Sequence, residues 1–313
     1  MTHASIKLSR NSMTPTVFIL MAGATVGALA GAYLTFAVSL FGMAAGGPVG
    51  FMIFGPVALA LYAASISWVL VAAPLWTLVG GSFFAGLAIG QRGSAARNLE
   101  VTLFSNGHAI TRATHELCDR LDIKRVPYVG WFPSDEINAF AMGTNVNNAM
   151  VVVSRGAVER LAPGEFLAVV AHELGHVGNN DMARMTYARG VQNALTFFLF
   201  FRGLKRIARW LFTPLSELEI LRLSRTREFA ADKIAAQVIG PQHMISVLEQ
   251  LRQEKDPPRQ TPYANLMIWS AVTKRSWLNT HPPLEDRIAA LKKHLCDVTF
   301  SSEIDRQSQN LQS

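Results

Sequence analysis

The sequence predicts an α+β protein in two parts: N-terminal transmembrane helices, followed by a mainly helical domain with a small β-sheet. Three observations carry this reading. The 81 residues between Arg10 and Arg92 contain no Asp, Glu, Lys, Arg or His. The 222 residues from Arg92 onward hold 49 of the 51 charged side chains, about 22%, close to the soluble average of roughly one-quarter. Within that second part, short strand-like apolar runs lie among longer helical ones. Such a chain is neither a simple soluble protein nor a disordered one, and two cysteines make no disulfide scaffold. Cys118 and Cys296 lie far apart without CxxC context, which suits a reducing compartment.

The apolar block comes first. A bilayer core needs roughly 20 helical residues, and Thr14 to Met43 supplies 30. A glycine-rich break follows at 44–49, and then Gly50 to Gly90 adds 41 apolar residues that Pro74 divides. A cleaved signal is the competing reading of the first stretch, but the stretch is about twice the usual length of a signal core. Lys7 and Arg10 precede the block, Arg92 and Arg97 follow it, and the break carries no charge. The positive-inside rule therefore puts both flanks on the cytoplasmic side, which requires an even number of crossings; two fits. The expected organisation is an anchor over 1–91, a globular domain over 92–300 and a disordered polar tail over 301–313.

In the globular part, Ala113 to Leu121 reads as a short amphipathic helix and Val126 to Phe132 as a strand stopped by Pro133. Asn138–Met142 and Met150–Ser154 flank a turn-rich stretch and read as a hairpin. A helix starts at Pro163, has Glu165 in its first turn and ends near Gly178, with Asp181 placed to cap a further helix.

Inside the helix that starts at Pro163 stands His172-Glu173-Leu174-Gly175-His176. Residues four apart differ by about 40° around a helix. His172 and His176 therefore project side by side and can offer two imidazole nitrogens to one Zn²⁺. Glu173 borders such a metal without having to bind it, where a general base for a water molecule belongs. A catalytic zinc wants a third protein ligand and an open position. Downstream, Thr226-Arg227-Glu228-Phe229-Ala230-Ala231-Asp232 offers two carboxylates on one helical face, with alanines that permit close packing. Glu228 could bind the metal, and Asp232 could accept the ring N–H of His172 or His176.

These stretches resemble the M48 peptidases, and within them the HtpX-like membrane-bound zinc metalloproteases. Asn138-Ala139-Phe140-Ala141 upstream and His281-Pro282-Pro283-Leu284-Glu285-Asp286-Arg287 near the end add to the likeness, so that four motifs stand in the family's order over about 95–295. The resemblance implies a gluzincin fold, one Zn²⁺ per chain held by His172, His176 and Glu228, and Glu173 as catalytic base. It also implies that Asn138, Ala139 and Phe140 belong to an edge strand that binds substrate, and that His281 and Arg287 act near the oxyanion. By the same likeness the substrates are misfolded or damaged membrane proteins, cut by a multi-pass protein of the inner membrane with its protease domain in the cytoplasm.

One feature departs from the HtpX pattern, which carries a second pair of membrane segments before the third ligand. Here Val191 to Phe201 is only 11 residues and contains Gln192 and Asn193, too short to span. Arg202, Lys205, Arg206 and Arg209 alternate with apolar residues, as in a basic amphipathic helix lying on anionic lipid. The basic balance thus points to membrane lipid and away from nucleic acid. Two rival functions share part of the pattern. A peptidase processing prenylated proteins needs a larger membrane chamber than 81 residues build. A scaffold with structural zinc has no use for Glu173 and would favour cysteine ligands.

Overall fold

The computed structural model describes residues 17–22, 25, 29, 40, 41, 44, 46–90, 99–195, 214–253 and 282–295. They fall into two units: the described residues of 91–183 and 221–295, and those of 12–90 and 184–220. The first unit contains the sheet. Strands β1 (Thr102–Leu103), β2 (Tyr128–Phe132), β3 (Ala139–Asn145) and β4 (Asn148–Ser154) lie in the order β1-β2-β4-β3. The expected hairpin is present as the antiparallel β3–β4 pair, with Phe140 opposite Val152. β2 joins it as a parallel partner of β4, with Val129 opposite Val151. β3 is left at the edge.

The alternation of side chains across a strand sorts the sheet into two faces. Ala139, Ala141, Val151 and Val153 share a core with Val169, Val170 and Leu174 of helix α4 (Pro163–Gly178). Helices α2 (Ala109–Arg120) and α7 (Pro241–Gln253) close that core with Leu117, Cys118, Met244, Leu248 and Leu251. On the opposite face Phe132, Phe140, Met142 and Val152 pack with Leu99, Val101 and Met150. Further helices among the described residues are α3 (Arg155–Arg160), α5 (Asp181–Leu195), α6 (Pro214–Val238) and α8, over 284–295.

Some boundaries differ from those expected. α2 starts four residues earlier than the sequence pattern, because the His108 ring caps it by accepting the Ile110 N–H at 3.2 Å. α4 begins at Pro163 as expected, and Glu165 reaches back to the Ala162 N–H at 2.9 Å. It ends at Gly178 as expected, with Asn179 as its C-cap. The left-handed residue is Asn180, at φ 57°, a conformation that asparagine tolerates better than most residues.

In the second unit α1 (Gly47–Gly90) is one helix of 44 residues, about 66 Å of backbone at 1.5 Å per residue. Pro74 does not divide it, contrary to the sequence expectation; the helix runs through both Pro56 and Pro74. A proline ring removes one N–H and crowds a carbonyl four residues back, which a long helix absorbs by local adjustment where its neighbours allow. Among the residues described with their side chains, no helix is long and apolar enough to cross a membrane. Most side chains of α1 between 50 and 73 fall outside that description. The C-terminal part of α1 packs closely on α5. A Cβ at Gly81 would stand 2.7 Å from Val191 Cγ2, and one at Gly190 would stand 2.4 Å from Gly81 O. Small residues permit this approach, and Trp76 Nε1 donates to Ala194 O at 2.8 Å. Of the stretch from Val191 to Phe201, the first five residues end α5; residues 196–213, including the basic run 202–209, lie outside the described residues, as does the tail 301–313.

Candidate active site

α4 and α6 meet closely at Gly175, and glycine sets their spacing. A Cβ at Gly175 would lie 3.3 Å from Ala231 Cα and 3.3 Å from Ile234 Cδ1, so the two backbones approach more closely than larger residues allow. Across this seam the sequence-expected group assembles. One donor atom each of His172, His176 and Glu228 lie within 4.8 Å of one another, and all three residues are buried. His172 Nε2 is 3.6 Å from Glu228 Oε2 and His176 Nε2 is 3.7 Å from Glu228 Oε1.

These atoms fit a cation. Zinc with donors at about 2.0–2.1 Å in a tetrahedron holds them about 3.3 Å apart, so small movements suffice. His172 Nε2 is fully buried and has no hydrogen-bond partner among the described residues. Buried polar atoms are rarely left that way, and a cation would complete it. Two imidazoles and one carboxylate suit a borderline metal such as zinc.

The other ring nitrogens each lie beside a carboxylate. His172 Nδ1 lies 3.0 Å from Asp232 Oδ1, one of the two pairings open to Asp232 in the sequence. His176 Nδ1 lies 2.9 Å from Asp181 Oδ2. Asp181 begins α5, as capping suggested, but its carboxylate serves His176. Sequence reasoning missed that second role; the signal available was an acidic residue one turn past the motif.

Arg287 is fully buried on α8 and donates to both oxygens of Asp232, at 2.7 and 2.6 Å, while its Nη1 is 3.3 Å from Glu228 Oε2. These contacts join it to two carboxylates of the group. His281 lies outside the described residues.

Charge balance follows from these contacts. Burial works against an ionised Asp232, but Arg287 and His172 outweigh it and hold the carboxyl below its usual range. Asp181 is held low in the same way by His176 and Arg227. Burial would lower the His172 pKa, yet Asp232 and Glu228 push it up to about 9 in the metal-free protein. Glu173 is 2% exposed, and burial is the main cause raising its pKa.

Glu173 also meets the sheet. The backbone N–H of Ala141 on β3 donates to its carboxylate. Of the expected strand residues, Asn138 is buried with Oδ1 accepting the Ala139 N–H at 2.9 Å, and Phe140 is fully buried against the far face of the sheet. Ala141, the next residue of the same strand, touches Glu173 through its backbone.

Comparison with known proteins shows the family of the chain. The model of Peptidase family M48 matches residues 105–295. Protease HtpX of Ectopseudomonas mendocina is 36% identical over 211 residues, 59% of this chain and 72% of that protein. Protease HtpX of Pseudomonas putida KT2440 is 37% identical over 213 residues, 59% of this chain and 70% of that one. The crystal structure of S. mikatae Ste24p aligns with a TM-score of 0.48 at 19% identity, covering 83% of this chain and 66% of that one. The matched region includes both helices that carry the histidines and Glu228, and the relatives are uniform in kind: the chain belongs to peptidase family M48, as an HtpX-like member.

Proposed function

We propose that this metalloprotease is a membrane-anchored zinc endopeptidase that cuts extended segments of misfolded or damaged membrane proteins at the cytoplasmic face of the inner membrane. The observation that carries the chemistry is the buried His172, His176 and Glu228 group with Glu173 on the same helix. Zn²⁺ held there would acidify a water molecule and polarise the scissile carbonyl.

The chain's own groups supply the rest. Glu173 takes a proton from the attacking water and delivers it to the leaving amine nitrogen. Asp232 and Asp181 hold the two imidazoles with Nε2 turned toward Glu228. Arg287 keeps Asp232 ionised and in place, which is a positioning role. The open edge of β3, led by Asn138, Ala139 and Phe140, lets a substrate strand add by main-chain hydrogen bonds.

The anchoring rests on the 81 uncharged residues and on the resemblance to HtpX-like membrane-bound peptidases. Two crossings, one before Gly47 and one within α1, keep 92–300 beside Arg92 and Arg97 on the basic, cytoplasmic side. The basic run 202–209 adds contact with anionic lipid.

Purified Glu173→Gln tests the mechanism. It is expected to bind one Zn²⁺ per chain and to lose cleavage of an unfolded protein substrate by at least about 100-fold. Cleavage at the wild-type rate overturns it. A reporter fused after Gly90 tests the topology, which an extracytoplasmic signal overturns.

A further inference from the structure

Each histidine of the group is backed by the same kind of chain, from imidazole Nδ1 to aspartate to arginine. His172 leads to Asp232 at 3.0 Å and on to Arg287, which grips both carboxylate oxygens at 2.7 and 2.6 Å. His176 leads to Asp181 Oδ2 at 2.9 Å, and Arg227 Nε lies 3.2 Å from that same oxygen. The two chains differ in closure. The side chains of His172 and Arg287 are 0% exposed, those of His176 and Arg227 are 8% and 18% exposed. Arg287 holds its aspartate by a two-bond fork and also meets Glu228, whereas Arg227 meets Asp181 through Nε.

We propose that Arg227 is a positioning residue that holds Asp181 against His176, and that this half of the group is where metal enters and leaves. The proposal rests on the reading of His172, His176 and Glu228 as metal ligands. An imidazole that binds a cation is oriented by the partner of its other nitrogen. Asp181 is 1% exposed, and a carboxylate so buried keeps its place only while its charge is met. Without Arg227 a contact that holds this carboxylate oxygen is lost, and the His176 ring is held less firmly. The His172 chain has no such exit, because its arginine is sealed and shared with Glu228.

The test uses the full chain in detergent, loaded with Co²⁺, whose visible bands report the ligand field. Metal release into excess chelator is timed for wild type, Arg227→Gln and Arg227→Lys. Arg227→Gln is expected to release metal at least about tenfold faster, with shifted bands. Arg227→Lys, which keeps the charge but not the planar guanidinium, is expected to fall between the two. Wild-type release and bands in Arg227→Gln overturn the proposal. So does an equal acceleration in both variants matched by an equal fall in their metal-free melting midpoints, since loss of packing alone gives that pattern. If Arg227→Gln fails to fold, a wild-type release rate in Arg227→Lys overturns it instead. A wild-type protein that takes up no stoichiometric Co²⁺ overturns the ligand reading itself, a distinct result.

Discussion

His176 Nδ1 and Asp181 Oδ2 lie 2.9 Å apart across the two-residue turn that joins α4 to α5. The turn is made by Asn179, still right-handed, and by Asn180 at φ 57°. A change of helix direction is thus what returns a carboxylate to the histidine five residues before it.

That turn gives the first prediction. Asn180→Gly adopts the left-handed conformation without strain and is expected to keep wild-type melting and metal content. Asn180→Val is expected to cost about 1–2 kcal/mol and to weaken metal retention by misplacing Asp181. Thermal melting with metal analysis checks both. Equal behaviour of the two variants would mean that the turn does not position Asp181.

The seam at Gly175 gives the second. Gly175→Ala adds a Cβ at 3.3 Å from Ala231 Cα, while helix propensity improves by about 1 kcal/mol, so a near-neutral variant is expected. Gly175→Val is expected to cost about 1–3 kcal/mol and to move Glu228 away from both imidazoles. Its metal stoichiometry should fall although every ligand is present; full occupancy at wild-type affinity would contradict this.

The third concerns pH. His172 stands at about 9 in the metal-free protein, above its ordinary 6.5. A raised pKa stabilises the fold fully below about pH 6.5, and that contribution is lost as pH rises through about 9. The raised Glu173 pKa has the same sign. Chelator-treated protein is therefore expected to melt at lower temperature at pH 9.5 than at pH 6.5. Zn²⁺ displaces the His172 proton, so the gap between metal-loaded and metal-free midpoints should widen over the same range. A metal-free midpoint that climbs across this window contradicts the assignment.

The fourth concerns Cys118. Burial, aided by the charge of Asp119, pushes its thiol up to about 12, so almost no thiolate exists at pH 8. In a Cys296→Ser background, Ellman's reagent should titrate no thiol in the folded protein at pH 8 and one in denaturant. Rapid reaction of the folded protein would mean that α2 does not seal Cys118 in the core.

Much of the site was legible because it is written within single helices. His172, Glu173 and His176 share one helix, and Glu228 and Asp232 another, so helical period alone aligns them. Family resemblance supplied the pairing between helices. Asp181 and Arg227 were not legible in those roles. Their meaning depends on the left-handed Asn180 and on the close approach of α4 and α6 at Gly175, and neither is a period in the sequence. The hairpin was legible from its two apolar runs, but the parallel β2–β4 pairing was not, because no local signal fixes which strands far apart in sequence become neighbours. Pro74 misled for the opposite reason: a strong local breaker is overruled inside a long apolar helix.

The edge position of β3 has a consequence for choice of substrate on the proposed reading. Main-chain hydrogen bonds are the same for every residue but proline, so an added strand is accepted with little regard to its side chains. What it must have is an unengaged backbone. A well-folded neighbour in the membrane has already spent its N–H and C=O groups on its own helices and offers nothing to pair. A protein that has lost its fold offers them freely. Damage itself is then the recognition signal, and the enzyme needs no consensus sequence to tell ruined proteins from sound ones.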